Sequence, residues 1–355
     1  MKIFLVTYIC AQKKYYCDKK MPLFIKEEEV TKAVSYGDLV EAMEDMYKKQ
    51  GLGLAETFPR REVRIRGKDL PHADPRMVRV AQCLAYMEQP GVVILHHIFS
   101  FPDRRTHPMR VINHLIDADS GSVIAIIDSI NLLGMRTGAA GAVGAKFLSR
   151  RDSSVAGIVG AGRQGRIQLK FLLKIRPIEK AYVYDKVRKH AIMFSKEMSR
   201  ELEIDLLPSD DIEKVTRHSD ILVTATPSMT PIVKEEWLSP GIHVNIIGAD
   251  DPPKIELEGE ALRRADKLVI MAEDCFLAGQ LKIPMDMGMI SKKDVYGTLG
   301  EIVAGIKPAR ESDDEITIYH NPGMTLHDLA AAYKVYTRAK GLGLGIEVPD
   351  PFELN

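Results

Sequence analysis

The sequence predicts an α/β protein in which a doubly wound parallel sheet is combined with a second, α+β domain. Its 355 residues suit about two domains, because a domain averages roughly 150 residues. Beyond Asp128, apolar runs typical of strands alternate with helical stretches, as in the βαβ units of a parallel sheet. Before Asp128, strand-like runs follow one another directly, which favours an antiparallel sheet with one helix over it.

The composition is that of an ordinary globular protein, with 45% hydrophobic and 28% charged residues. Lysine and arginine together number 49, as do the acidic residues, and this zero net charge argues against a general nucleic-acid binder. No apolar run is long enough to predict a membrane span. The four cysteines form no CxxC pair, so we expect no disulfide framework, no zinc site and a cytoplasmic location.

Residues 1–20 precede a second methionine, Met21, and admit three interpretations. The apolar run over residues 3–10 resembles a weak signal peptide, but it is short and no small-residue cleavage site follows it. An edge strand or loose extension is the plainer interpretation, and the third is that Met21 is the working start. We treat residues 1–20 as an N-terminal extension.

The N-terminal third predicts one helix and several strands. Apolar residues recur at helical spacing over residues 36–50, and glycines follow. Alternating apolar and polar residues predict strands over residues 61–66, 81–87, 92–101, 110–117 and 122–128. The sequence Asp-Ala-Asp-Ser-Gly at 117–121 predicts the hairpin turn between the last two.

The remainder predicts alternating helices and strands. A helix over residues 137–148 consists of very small residues, which implies close packing of its backbone. The strands are expected at 154–159, 181–184, 221–224, 243–247 and 267–271, and further helices at 163–175 and 191–201. A last helix is expected over 325–340, with Thr325 as its N-cap, Asp328 completing a capping box and Gly341 ending it.

A glycine-rich loop joins the strand at 154–159 to the next helix. Gly160, Gly162 and Gly165 form a GxGxxG pattern. In that pattern the first glycine permits a tight turn, the second lets a pyrophosphate approach the backbone, and the third lets the helix pack closely. The free N–H groups of the helix N-terminus then face the phosphates. The alternative is a structural glycine turn in another α/β sheet.

Asp185 ends the next strand, 20 residues past Gly165. A carboxylate there accepts hydrogen bonds from both ribose hydroxyls of NAD and repels the 2′-phosphate of NADP. Lys186 and Arg188 follow and weaken that exclusion. We therefore predict a Rossmann domain that binds NAD, with NADP less favoured.

Thr224 and Thr226 follow another strand of the same sheet, in the turn Thr-Ala-Thr-Pro-Ser. Ligands bind at the carboxyl ends of strands in such sheets, so both hydroxyls are candidate cofactor-binding groups. The alternative is a simple turn.

Arg136 and Asp250 are charged residues in unexpected places. Arg136 stands just before the predicted small-residue helix, where a cation is unfavourable unless an anion such as a carboxylate also binds. The alternative is an arginine paired with an acidic side chain. Asp250 follows an apolar strand, where it could hold a substrate amine or exchange protons with it. Asp250 and the adjacent Asp251 could equally be turn residues beside two prolines.

Four histidines cluster in sequence around Asp103: His96, His97, His107 and His114. Strand alternation places His96 and His97 on opposite faces, and no spacing suits a metal-ligand set. We predict no metal site and regard these histidines as partly buried or exposed structural residues.

Taken together, these motifs resemble the ornithine cyclodeaminase/mu-crystallin family, which also holds archaeal-type alanine dehydrogenases and ketimine reductases. The matching segments occur in the family's order within roughly residues 22–345: 134–140, 160–165, 183–185, 224–228, 248–257, 299–305 and 323–332.

The resemblance implies a cofactor domain and a discontinuous second domain. Residues 131–320 would form the NAD(P)-binding Rossmann domain. Residues 21–130 with 321–355 would form the substrate-binding and dimerisation domain of a homodimer. It also implies a nicotinamide cofactor and hydride transfer at the α-carbon of an amino or imino acid. The charge balance and the lack of a long apolar run add the expectation of no nucleic-acid and no membrane partner.

The resemblance also implies roles for single residues. Arg136 would grip the substrate carboxylate with help from Arg60, and Gly323 would line the same site. Asp250 would handle the substrate amine or the attacking water. The cofactor side would comprise the glycine loop and its neighbours: Thr137, Gly160, Gly162, Arg163, Gln164, Gly165, Asp185, Thr224 and Thr226.

The substrate side departs from the family pattern. The family's substrate-contacting lysine, in a Gly-x-Lys segment, corresponds here to Val93. His320-Asn321-Pro322 replaces the more usual small hydroxyl residues before Gly323. Three functions therefore stay open. An amino-acid dehydrogenase or imine reductase is favoured over a cyclodeaminase that releases ammonia with catalytic NAD. The third is a mu-crystallin-like protein that binds a small ligand.

Overall fold

The computed structural model describes residues 21–58, 60–66, 78–101 and 109–349. The extension at 1–20, together with Asp103 and His107, lies outside the described residues.

Strands of the first sheet are β1 (Leu23–Ile25), β2 (Ala55–Thr57), β3 (Arg61–Arg66), β4 (Val78–Met87), β5 (Val92–Ser100), β6 (Met109–Asp117) and β7 (Val123–Asp128). Strands of the second are β8 (Val155–Val159), β9 (Lys180–Tyr184), β10 (Asp205–Ser209), β11 (Ile221–Thr224), β12 (His243–Ile246), β13 (Lys267–Ile270), β14 (Gly297–Thr298) and β15 (Thr317–His320). Finally, β16 (Ile346–Glu347) returns to the first sheet.

The helices lie mostly between strands of the second sheet. They are α1 (Glu27–Ala33), α2 (Tyr36–Gly51), α3 (Ile130–Leu148), α4 (Arg163–Leu172), α5 (Arg188–Leu202), α6 (Ile212–Arg217), α7 (Gly259–Arg264), α8 (Gly279–Asp286), α9 (Leu299–Val303) and α10 (Thr325–Leu342). Short 3₁₀ helices span Glu235–Trp237, Glu273–Leu277 and Lys292–Asp294.

The first sheet has the order β16-β1-β7-β6-β5-β4-β2, with β3 also paired to β4. Its described pairings are antiparallel apart from β1 with β7. The predicted hairpin turn between β6 and β7 is confirmed. The backbone N–H of Ser120 donates to Asp117 Oδ1 at 2.9 Å, and Gly121 takes a φ of 72°.

The second sheet has the order β10-β9-β8-β11-β12-β15-β13-β14, and its described pairings are parallel. Strands β11, β12 and β13 are buried along their whole length, which suits the largely apolar sequences of β11 and β13, while β12 also buries the polar residues His243 and Asn245. The direction of strand order reverses at β8, so a crevice forms beyond its carboxyl end. The predicted doubly wound parallel sheet is confirmed.

Helix α3 contacts β6 of the first sheet and both β12 and β15 of the second. Its small residues allow this close approach. A Cβ added to Gly141 would lie 2.3 Å from Gln168 Oε1, and one added to Gly144 would lie 2.3 Å from the Tyr319 ring. The close packing predicted for this helix is therefore confirmed.

Several predicted boundaries are wrong. Helix α3 begins at Ile130 and not at residue 137, because residues 130–136 continue its helical pattern and already bury Leu132. Met324 is the N-cap of α10, which ends at Gly343 with a φ of 65°. Thr325 therefore lies inside the helix, and Gly341 does not end it. Strand β15, between β12 and β13, and the edge strand β10 were not predicted.

Candidate active site

A cleft of about 540 Å³ lies beside the carboxyl ends of the second sheet and is also lined by the first sheet. It brings together six of the predicted site residues: Arg60, Arg136, Thr137, Gln164, Asp250 and Gly323. Two residues that the sequence did not assign to the site, His96 and Asp328, also line it. These side chains come from β5, α3, α4, α10 and the segments next to β3, β12 and β15, so only the folded chain makes them neighbours.

Arg136 is buried in the cleft wall and held by a buried carboxylate. Its Nε donates to Asp328 Oδ1 at 3.0 Å. Its terminal nitrogens have no hydrogen-bond partner among the described residues, so they stay available to a ligand in the cleft. A Cβ on Gly323, whose φ is 97°, would lie 2.5 Å from Arg136 Nη1. The absence of a side chain at Gly323 therefore makes room for this guanidinium.

The prediction that Arg136 stands just before a helix N-terminus is wrong. Because α3 begins at Ile130, Arg136 lies inside the helix, where the dipole gives no reason for an anion. The predicted alternative, pairing with an acidic side chain, does occur, with Asp328 as the partner. Its free terminal nitrogens nevertheless retain the fork geometry that binds a carboxylate through two hydrogen bonds.

Asp250 and Asp251 follow β12 and each contact a cation. Asp250 Oδ1 accepts from Lys254 Nζ at 2.5 Å, and its side chain is 43% exposed, so the carboxylate remains accessible from the cleft. Asp251 is paired with Arg60, whose Nη2 lies 3.2 Å from Oδ2. This pair joins β3 of the first sheet to the end of β12, across the cleft.

His96 lies on the face of β5 that also buries Val92 and Ile94, and its side chain is almost fully buried. Its Nδ1 lies 2.6 Å from Asn113 Oδ1, an acceptor, so Nδ1 carries the proton. Asp328 Oδ1 lies 3.9 Å from the same nitrogen. The predicted opposite facing of His96 and His97 is confirmed, since the His97 ring instead meets His114 at 5.3 Å.

Cys83 also lines the cleft, on β4 opposite His96. Burial raises the pKa of this thiol to about 11, which keeps it protonated at neutral pH. Since the thiolate is the reactive form, the cleft is not built for cysteine nucleophilic chemistry.

The glycine loop adjoins this cleft and suits a dinucleotide. Gly160 has a φ of 108°, and a Cβ there would lie 2.5 Å from Ala225 O. Gly162 is the N-cap of α4, and a Cβ on it would meet no atom within 4 Å, so open space faces the helix N-terminus. A Cβ on Gly165 would lie 2.2 Å from Gly160 O. These are the turn, phosphate and packing requirements of the pattern.

Asp185 lies at the end of β9 and is fixed against the glycine loop. Its Oδ2 accepts from Ala161 N at 3.0 Å, and its Oδ1 accepts from Val187 N at 2.9 Å. His190 Nδ1 lies 3.3 Å from Oδ1. The carboxylate is thus oriented beside the glycine loop, where the ribose of a dinucleotide would follow its pyrophosphate.

The family model described as "Ornithine cyclodeaminase/mu-crystallin family" matches residues 22–343. The chain belongs to this family. It is 32% identical over 327 residues to an alanine dehydrogenase of Archaeoglobus fulgidus, covering 92% of this chain and 98% of that one.

Two solved structures of family enzymes are similar over nearly the whole chain. One is the Delta(1)-pyrroline-2-carboxylate reductase of Thermococcus litoralis with NADH and L-proline, at 30% identity and a TM-score of 0.84, covering 92% of this chain and all of that one. The other is an archaeal alanine dehydrogenase dimer with bound NAD, at 32% identity and a TM-score of 0.83, covering 92% of this chain and 99% of that one.

Two of the residues predicted to bind the cofactor, Thr224 and Thr226, form hydrogen bonds within the protein. The hydroxyls of Thr224 and Thr226 donate to buried Glu256, at 2.9 and 2.7 Å. Burial raises the pKa of Glu256, while these hydrogen bonds act in the opposite direction. Both hydroxyls therefore stabilise the turn after β11.

The remaining cofactor candidates are Thr137 in α3 and the first two residues of α4, Arg163 and Gln164. Arg163 Nη2 donates to Ile130 O and to Asn131 Oδ1, each at 2.9 Å. Thr137 Oγ1 donates to Leu133 O at 2.9 Å. Gln164 Oε1 is buried without a partner among the described residues, and the side chain lines the cleft. Gln164 thus connects the loop to the cleft.

The departures from the family pattern have structural consequences. Val93 is not among the cleft-lining residues, since it lies on the face of β5 opposite His96. His320 and Asn321 are fully buried, and burial lowers the pKa of His320 to about 4. The side-chain amide of Asn321 has no hydrogen-bond partner among the described residues.

Sequence reasoning missed His96 and Asp328 as site residues. The alternation of β5 already placed His96 with the apolar residues Val92 and Ile94, which was the available signal. Among the described residues, no group of three or more histidine, cysteine or acidic side chains could hold a metal ion. Within the same residues, no helix combines the length and apolar character needed to cross a bilayer.

Proposed function

We propose that the protein is an NAD-dependent oxidoreductase that acts at the α-carbon of an amino or imino acid, as an amino-acid dehydrogenase or imine reductase. The observation that carries this proposal is the free guanidinium face of Arg136 in a cleft that also contains Gln164 of the glycine loop. A carboxylate held there would place its α-carbon on the cofactor side of the cleft. The names of the A. fulgidus and T. litoralis relatives indicate substrates of this class.

In this proposal each cleft residue has a defined task. Arg136 binds the substrate carboxylate through both terminal nitrogens, with Arg60 helping to bind it and Gly323 leaving the space. Asp250, which remains accessible, exchanges a proton with the substrate nitrogen or with water. The bound nicotinamide supplies or accepts the hydride. Positioning of the substrate against it is then the protein's main contribution.

The cofactor would be held by the loop, with Gly160, Gly162 and Gly165 receiving the pyrophosphate and Asp185 the ribose. Gln164, Arg163 and Thr137 would line its path towards the cleft. Since the hydroxyls of Thr224 and Thr226 are bonded to Glu256, these residues would act through the turn that they stabilise.

We also propose the larger organisation. Residues 131–320 would bind the cofactor, and residues 21–130 with 321–355 would bind substrate and dimerise. Contacts of α10 with β4, β5 and β6 support the joining of the two separate segments. A homodimer is supported by the dimeric archaeal relative. The free thiols of Cys83 and Cys275 suit a cytoplasmic location.

A substrate panel tests the proposal. L-alanine, L-proline and L-ornithine are offered with NAD, and pyruvate with ammonia or Δ1-pyrroline-2-carboxylate with NADH, while nicotinamide absorbance and ammonia are both followed. Net change in NADH with at least one of these is the expected result. Ammonia release from ornithine without net NADH would instead identify a cyclodeaminase. Tight NADH binding without any turnover would identify a ligand-binding protein.

A further inference from the structure

The described arginines that line the cleft are each paired with a carboxylate before a substrate arrives. The pairs are Arg136–Asp328, Arg60–Asp251 and Arg79–Glu62, at 3.0, 3.2 and 3.5 Å. Arg136 therefore offers free hydrogen-bond donors, but its charge is already balanced. A substrate carboxylate adds a negative charge next to buried Asp328. An uncompensated charge in such surroundings is unfavourable, so a further positive charge is needed.

His96 is placed to supply that charge. Asp328 Oδ1 is shared, because it accepts from Arg136 Nε at 3.0 Å and lies 3.9 Å from His96 Nδ1. Asn113 Oδ1 also faces this nitrogen, at 2.6 Å. Two oxygen atoms thus face the Nδ1 side of the ring. Nε2, on the other side, has no partner among the described residues, and the side chain lines the cleft.

We propose that His96 takes up a proton when a substrate carboxylate binds at Arg136, and that the imidazolium so formed donates a hydrogen bond from Nε2 to that carboxylate. This inference rests on the proposed function and adds a second carboxylate-binding residue to it. The step is a simple protonation in which neutral imidazole and a solvent proton give imidazolium. The charges of Arg136, Asp328, His96 and the substrate carboxylate then sum to zero.

Among the described groups packed in this part of the cleft, the His96 imidazole is the one placed to accept the proton. On β4, Cys83 is a neutral thiol and Arg79 is already cationic. Asn113 on β6 does not titrate. Arg136 on α3 opposes protonation until the substrate carboxylate offsets it, and Asp328 on α10 favours it throughout. Along β5, His97 lies on the opposite face.

The consequence is a ligand affinity that depends on pH. Uptake of a proton from solvent becomes less favourable as the pH rises. Carboxylate affinity should therefore weaken as the pH rises, approaching about tenfold per unit at the alkaline end. Asp250 and the substrate nitrogen are not required for this effect.

Calorimetric titration of pyrrole-2-carboxylate into the full-length, NADH-saturated protein tests the inference. Pyrrole-2-carboxylate has no basic nitrogen, so any proton taken up on binding is bound by the protein. Titrations at one pH in two buffers of different ionisation enthalpy give the number of protons. At pH 8 the wild type should take up close to one proton per site. Its affinity for pyrrole-2-carboxylate should be at least about tenfold weaker at pH 9 than at pH 7.

Variants assign the proton to its group. His96→Gln should bind the probe weakly and without proton uptake, whereas His96→Lys, which carries a fixed charge, should bind it without uptake and with little pH dependence. His97→Gln is the matched control on the other face and should behave as wild type. NADH affinity, measured in each variant, reports that the fold is intact.

Two kinds of result distinguish a failure of the role of His96 from a failure of the proposed function. Uptake that persists in His96→Gln, or wild-type binding without uptake, would overturn the role of His96 alone. Failure of the wild type to bind pyrrole-2-carboxylate and to turn over any compound of the substrate panel would overturn the proposed function, and this inference with it.

Discussion

The glycine loop and the substrate cleft adjoin each other but are built on different principles. The loop is contiguous in sequence, and its shape follows from backbone geometry at Gly160, Gly162 and Gly165. The cleft is assembled from side chains far apart in the chain, such as Arg136 and Asp328, which are 192 positions apart. A contiguous backbone motif can be identified from sequence, while a convergent set of side chains is defined only by the fold.

The substitution expected to have the largest effect separates these two regions by disabling the cleft alone. Arg136→Leu removes the carboxylate-binding donors and leaves Asp328 buried without its ion-pair partner. Each charge-assisted hydrogen bond to the substrate carboxylate is worth about 1.5–3 kcal/mol, so the loss of two should lower kcat/KM for the amino or imino acid by at least about 100-fold. NADH affinity, measured by fluorescence titration, should stay within about twofold of wild type, since the glycine loop is untouched.

Arg217→Leu is a suitable control for that experiment. Arg217 pairs with Glu213 at 2.7 Å on the protein surface, and such pairs contribute little. Wild-type kinetics are expected. If Arg136→Leu kept its affinity for the amino or imino acid, the carboxylate site would have to lie elsewhere.

A smaller effect is expected from the reciprocal change, Gly162→Ala, which addresses the loop alone. The added methyl meets no protein atom within 4 Å, so the thermal stability should hold. It would occupy the space that the pyrophosphate needs, and the Kd for NADH should rise by about tenfold, or about 1.4 kcal/mol. The kcat at saturating NADH should change little.

Gly341→Ala is the matched control for the loop variant. A Cβ there is also free of neighbours within 4 Å, but it lies in α10, away from the loop. It should leave NADH affinity unchanged. An unchanged Kd in Gly162→Ala as well would argue against phosphate binding at this loop.

The same contrast explains how far the sequence alone could predict the molecule. The parallel sheet, the glycine loop and Asp185 were predictable because each depends on residues close together in sequence. The start of α3 at Ile130 was missed, since the small-residue pattern drew attention to its later turns. The partner of Arg136 and the contacts of His96 were out of reach, because pairing across distant elements leaves no local pattern.

The proposed function requires hydride transfer between nicotinamide and the carbon that bears the substrate nitrogen. The most direct test uses NADH carrying deuterium on both sides of C4 with an imino acid that the protein reduces, and mass spectrometry of the amino acid formed. One deuterium at the α-carbon of each product molecule is the predicted result. Product without deuterium, or oxidation of NADH without formation of an amino acid, would contradict the claim.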